Sequence, residues 1–207
     1  PRLLARLRPA AVPRVRTGGT ILFGAVALVA FFQLFRFPDV GYLHSWEMYH
    51  YYVGAKYAPE LGYERLYACT TIADAEAGID VQGRLLRDLR DDTLIGAAAV
   101  VGDVPACKAH FTPERWSSFT TDLAAFRRLA GSRRTWERMQ LDHGYNPSPV
   151  WTVLGREIAA RIPPTPRALR ALAFVDVGLI ASGLLALAWG FGWRLAALSA
   201  LYLGTQA

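Results

Sequence analysis

The sequence predicts an all-α membrane protein: transmembrane helices, with a large and mainly helical extracytoplasmic loop domain between the first and second spans. Three observations carry this. The 207 residues are 53% hydrophobic, yet the apolar residues are concentrated near the two ends. Nineteen residues without a formal charge separate Arg16 from Arg36, about the length that crosses a hydrocarbon core as a helix. The intervening 130 or so residues show helical periodicity and no repeat or low-complexity segment.

Residues 1–17 form an arginine-rich tail, with Arg2, Arg6, Arg8, Arg14 and Arg16 and no acid. Span 1 follows at 18–36, and no small-residue cleavage site marks it as a removable signal. The segment from Arg36 to Arg170 carries 17 basic and 16 acidic residues and is close to neutral. By the positive-inside rule the tail is cytoplasmic and the loop of residues 37–170 lies outside. This expectation corresponds to a multi-pass protein of the inner (cytoplasmic) membrane. The tail is a topology signal, and no nucleic-acid partner is expected.

Within the loop, residues 46–57 are rich in Tyr and Trp and poor in Gly, and read as a helix lying along the membrane interface. Pro59 and Gly62 break it, and a short helix is expected over 71–77. Residues 83–92 place Leu85, Leu86 and Leu89 opposite Arg84, Arg87, Asp88 and Asp91, an amphipathic pattern at helical spacing. The apolar run 93–101 is too short to decide between strand and buried helix. Thr112 caps a helix that begins at Pro113 and carries Trp116, Phe119, Leu123 and Phe126 as a core-facing stripe. Gly131-Ser132 interrupts it, and 133–141 resumes. After Tyr145-Asn-Pro-Ser-Pro149, residues 151–162 form an amphipathic helix with Arg156, Glu157 and Arg161.

The second span is expected over 171–193, interrupted only by Asp176. A third apolar run, 195–207, is too short to cross a bilayer and reads as the start of span 3 in a longer polytopic protein. The two cysteines, Cys69 and Cys107, both fall in the external loop, where an oxidising compartment favours a disulfide.

No Gly-rich phosphate loop, Cys-x-x-Cys pair, Gly-x-Ser-x-Gly elbow or His-Glu-x-x-His helix is present. His44 and His50 lie six apart, with His110 and His143 remote, so the histidines read as ordinary interfacial hydrogen-bonding groups. No cofactor is expected, with a divalent metal left open. Glu47 is the candidate of interest. It is an acid among five aromatic rings just beyond the first span, and it is either a solvated helix acid, a partner for Lys56 or an arginine, or a working carboxylate.

The pattern around it resembles a known family. Glu47, the aromatic pair Tyr51-Tyr52, the run Gly54-Ala55-Lys56 and then Leu66-Tyr67 are similar to the segment after the first transmembrane helix of membrane glycosyltransferases of the GT-C fold. The likeness is greatest to the N-terminal portion of family 87, whose members usually carry Asp at the acidic position. Tyr145-Asn-Pro-Ser-Pro149 with the following apolar helix resembles the Tyr-x-Pro-Pro that closes their first external loop. The resemblance implies transfer of a sugar from a lipid-phosphate donor at the outer face of the membrane, with Glu47 as general base and Asp39 as its rival. It implies Lys56 and Arg65 as cations for the leaving phosphate, and Tyr51, Tyr52 and Tyr145 as substrate contacts. Its partners would be membrane lipid and the lipid-linked sugar. The alternative is a non-catalytic membrane subunit whose external domain docks onto protein partners in a larger assembly, with Trp116, Trp136 and Trp151 as anchors.

Overall fold

A computed structural model describes residues 11–32, 34 and 42–205, and the chain is predominantly helical. It divides into two compact units.

The first unit holds the apolar helices. Helix α1 (Ala11–Phe31) packs along α12 (Trp193–Gly204) through small side chains. A Cβ on Gly24 would lie 2.6 Å from the Ala197 carbonyl oxygen, and one on Gly204 would run into Ala27. Ala196, Ala197 and Ala200 are buried here. Close backbone approach through small residues is how helices associate where no hydrophobic effect separates helix from solvent. Helix α11 (Pro166–Phe191) has a mean hydropathy of 2.1 over its most apolar 18 residues and, among the described residues, is the one helix long and apolar enough to cross a membrane. Val15–Phe31 is a shorter apolar helix. The expected third segment is helical from Trp193, and Gly192, at φ 88°, makes the break from α11 that a side chain would resist.

The second unit, Leu43–Arg170, is the mainly helical domain. It begins with α2 (Ser45–Met48), which runs into a π-helical turn at Tyr49–Val53 and on into α3 (Gly54–Lys56). Single-turn α4 (Ala58–Leu61) and α5 (Leu66–Glu76) follow. Strands β1 (Leu85–Asp88) and β2 (Thr93–Gly96) pair antiparallel, with Leu86 opposite Ile95. Short α6 (Ala97–Val101) and α7 (Pro105–Lys108) lead to α8 (Pro113–Leu129), α9 (Arg133–Met139) and α10 (Pro149–Arg161).

Three helix starts are local and follow from their capping residues. The side chains of Thr112, Ser132 and Ser148 accept the amide N–H of Arg115, Thr135 and Trp151. The α8 stripe does face the core, with Phe119, Leu123 and Phe126 buried.

Two expectations are corrected. Residues 83–92 form a hairpin and not an amphipathic helix. Asp88 and Asp91 accept the amides of Arg90 and Thr93, the side-chain turns that end an extended strand, and the Arg87 amide donates to the Gln140 carbonyl. Leu85 is then exposed while its neighbour Leu86 is buried, the alternation of a strand. The run 93–101 takes both of its candidate forms, strand through Gly96 and helix from Ala97. The second correction concerns residues 46–57. Tyr49, Tyr52 and Tyr57 are buried against other parts of the same domain, so these rings belong to its core rather than to a headgroup layer.

Beneath them lies a buried polar centre. Asp74 accepts from Arg84 Nη1 at 2.6 Å, Arg127 Nη1 at 2.6 Å and Trp136 Nε1 at 2.7 Å, and Thr71 donates to Gln140 at 3.1 Å. Cys69 and Cys107 form a disulfide that ties α5 to α7.

Candidate functional site

Glu47 sits in the first turn of α2, where a carboxylate complements the exposed amides of a helix start. Its side chain is 57% exposed and lies 3.9 Å from His44 Nδ1. The π-helical turn that follows it buries Tyr49, His50, Tyr52 and Val53, so Glu47 is presented from a firmly anchored element. Such turns insert one residue into a helix and recur at functional sites.

The anchoring is specific. His50 Nδ1 lies 2.9 Å from the Trp46 carbonyl, which can only accept, so that nitrogen carries the proton. Nε2 then accepts from the Tyr67 hydroxyl at 2.7 Å, and that hydroxyl accepts the Gly144 amide at 2.9 Å. Burial pushes the His50 pKa down and keeps the ring neutral, as this arrangement requires. The Trp46 indole donates to Asp142 at 2.6 Å. Burial works against Asp142 ionising, but the Trp46 N–H, the His143 amide and nearby His50 outweigh it and hold the carboxyl below its ordinary range.

The other sequence-chosen residues are distributed around the domain. Tyr51 and Tyr145 are brought together, their ring centroids 6.3 Å apart, with Trp151 6.3 Å from Tyr51 and Tyr63 stacked on Tyr145 at 5.9 Å. Tyr145 lies against Gly54, where any Cβ would run into its ring. Tyr52 donates its hydroxyl to the Ile162 carbonyl at 2.5 Å, beside that of Ala159, and so ties the π-helical turn to α10. Desolvation and then Asp122 raise the Tyr52 pKa. Lys56 pairs with Asp122 at 2.7 Å, an oxygen that also accepts the Tyr57 hydroxyl at 2.7 Å, and its ammonium stands over the Tyr52 and Tyr57 rings. It is committed within the domain.

Arg65 makes one long contact, 3.5 Å, to the Leu61 carbonyl. It lines a cavity of about 320 Å³ together with Arg87, Arg90 and His110 and the buried Ile72 and Leu86. Glu47, Lys56 and Tyr145 do not line that cavity. Asp39 lies outside the described residues.

Sequence reasoning missed Asp122, Asp142, the hydrogen-bonding role of Tyr67, and Asp74. Their partners lie 65, 96, 17 and 62 residues away, too distant for spacing to signal. The histidines expected to make interfacial bonds include His50, which is buried and bonded internally. Among the described residues no group of three or more His, Cys, Asp or Glu side chains is placed to hold a metal. No protein-family model, curated protein or solved structure matches this chain.

Proposed function

We propose that the chain is part of a multi-pass membrane glycosyltransferase that moves a sugar from a lipid-phosphate donor to an acceptor hydroxyl at the outer face of the inner membrane. The observation that carries the reading is Glu47: an exposed carboxylate at the head of a helix whose next turn is π-helical and buried on all sides but Tyr51. In this reading the carboxylate takes the proton of the acceptor hydroxyl. The oxygen attacks the anomeric carbon, and the bond from that carbon to the phosphate oxygen breaks, the phosphate keeping the electron pair. Tyr51, beside Tyr145 and Trp151, offers an aromatic wall one turn beyond Glu47. Of the two cations expected for the leaving phosphate, Lys56 already serves Asp122 and Arg65 lines a cavity that Glu47 does not, so the reading rests on Glu47 and this aromatic wall.

The test is transfer from a polyprenyl-phosphate sugar by the full protein in membranes. Glu47→Gln should lower turnover by roughly 10²–10⁴-fold, the usual contribution of a general base. Wild-type rates in that variant would remove Glu47 from the chemistry. The second reading, a non-catalytic subunit of a larger membrane assembly, draws on the apolar surface of α11, no residue of which is buried over its most apolar 18 residues. It predicts co-purifying membrane subunits and no transfer by the wild-type chain.

A further inference from the structure

Helix α10 presents three large apolar side chains to solvent on one face, at spacings of three and four: Val150 (66% exposed), Val153 (61%) and Leu154 (55%). The opposite face is small and fixed. Gly155 and Ala159 are buried, and a Cβ on Gly155 would stand 3.1 Å from Ala55 of α3. The Tyr52 hydroxyl bonded to the Ile162 and Ala159 carbonyls pins the C-terminal end. The helix therefore cannot roll to hide its apolar stripe without breaking these contacts.

We propose that this face lies in the headgroup–acyl boundary of a phospholipid bilayer, the membrane that α11 crosses, so that α10 is an interfacial helix. The inference rests on α11 being a span. Two features choose lipid as the occupant. Four residues, 162–165, separate α10 from α11, so its end lies within roughly 17 Å of the span even at full extension. The charges near the stripe are also mainly basic: Arg156 and Arg161 on α10 and Arg167 at the start of α11, against Glu157, whose carboxylate Arg161 already holds at 2.7 Å. Apolar residues on one face with arginines able to reach phosphates is the composition of a helix lying in an interface. The interfacial role that aromatic content suggested for 46–57 thus belongs to a different helix, because Tyr49, Tyr52 and Tyr57 of the former are covered by protein.

The disulfide leaves no free thiol among the described residues, so a single introduced cysteine can carry a spin label in the full protein. The probes are Val153→Cys and Leu154→Cys, with Arg90→Cys on the exposed hairpin as the aqueous control and Leu179→Cys in α11 as the span control. The protein is placed in vesicles of phosphatidylcholine and phosphatidylglycerol. Labels at 153 and 154 should collide severalfold more with lipid-soluble oxygen, relative to a water-soluble nickel chelate, than the label at 90 does. Aqueous behaviour at 153 and 154 with lipid exposure at 179 would overturn the proposal and leave the span standing. Aqueous behaviour at 179 as well would overturn the span and the proposal with it. Shielding of 153 and 154 from both colliders would overturn it in favour of a protein partner.

Discussion

The Tyr67 hydroxyl stands between the His50 ring and the Gly144 amide, donating to Nε2 at 2.7 Å while accepting the amide at 2.9 Å. One oxygen thereby joins the helix behind Glu47, α5 and the loop before Tyr145. Tyr67→Phe leaves a buried ring nitrogen and an amide unpaired, each worth about 1–3 kcal/mol when orphaned. Chemical denaturation should show a loss of about 2–6 kcal/mol for the two groups together, with a larger loss pointing to collapse of the loop.

The same ring makes stability depend on pH. Because burial lowers the folded-state pKa of His50, the unfolded chain binds the extra proton first as pH falls. The contribution of the neutral ring is complete above the unfolded value of about 6.5 and declines as pH drops from there toward the lower folded value. Melting curves at successive pH values should show this decline, and His50→Gln should flatten it.

Asp74 is fully buried and accepts from two arginines and an indole. Asp74→Ala leaves the buried Arg84 guanidinium only the long contacts to Glu137 at 3.7 Å and Gln140 at 3.5 Å, and its Nε and Nη2 have no hydrogen-bond partner even in the intact domain. Removal of one member of a buried ion pair costs about 3–5 kcal/mol. The variant should melt well below wild type, and below Asp122→Ala, whose partner Lys56 is nearer to solvent.

The Cys69–Cys107 bridge spans a sequence separation of 38. On the chain-entropy account a loop of that size is worth about 4 kcal/mol. Equilibrium unfolding of the Cys69→Ser, Cys107→Ser double variant should show that loss, and equal behaviour with wild type would mean the reduced chain stays ordered near α5 and α7.

Gly24 admits the Ala197 backbone of α12. Gly24→Leu should force α1 and α12 apart at a cost of about 1–3 kcal/mol, the usual range for overpacking. Thermal scans of the detergent-solubilised protein read it directly, with Gly18→Leu, where a Cβ meets nothing, as the neutral control.

Four kinds of feature could be read from residues alone. The cap at Thr112 acts across three positions, and the apolar run within α11 is set by its own composition. The stripe along α8 follows from helical periodicity. The disulfide needed only two cysteines in the segment expected outside the membrane. Other features were decided by partners far away in the chain. The leucines at 85, 86 and 89 fit a helix or a strand equally well, and the Gln140 carbonyl, together with two aspartate turns, selects the strand. Tyrosines at 49, 52 and 57 suit a headgroup layer or a core equally well in composition. Phe119 and Phe126 of α8, with Trp136 of α9, surround them and make them core. Lys56 could be counted as a cation from its letter, but only Asp122, brought from 66 residues away, commits it. Glu47 is legible as an acid beyond an apolar segment, and the tertiary structure adds that it is exposed on a helix held by buried neighbours. Short-range hydrogen bonds and periodicity are written in adjacent residues, whereas burial depends on which distant segments arrive to exclude water.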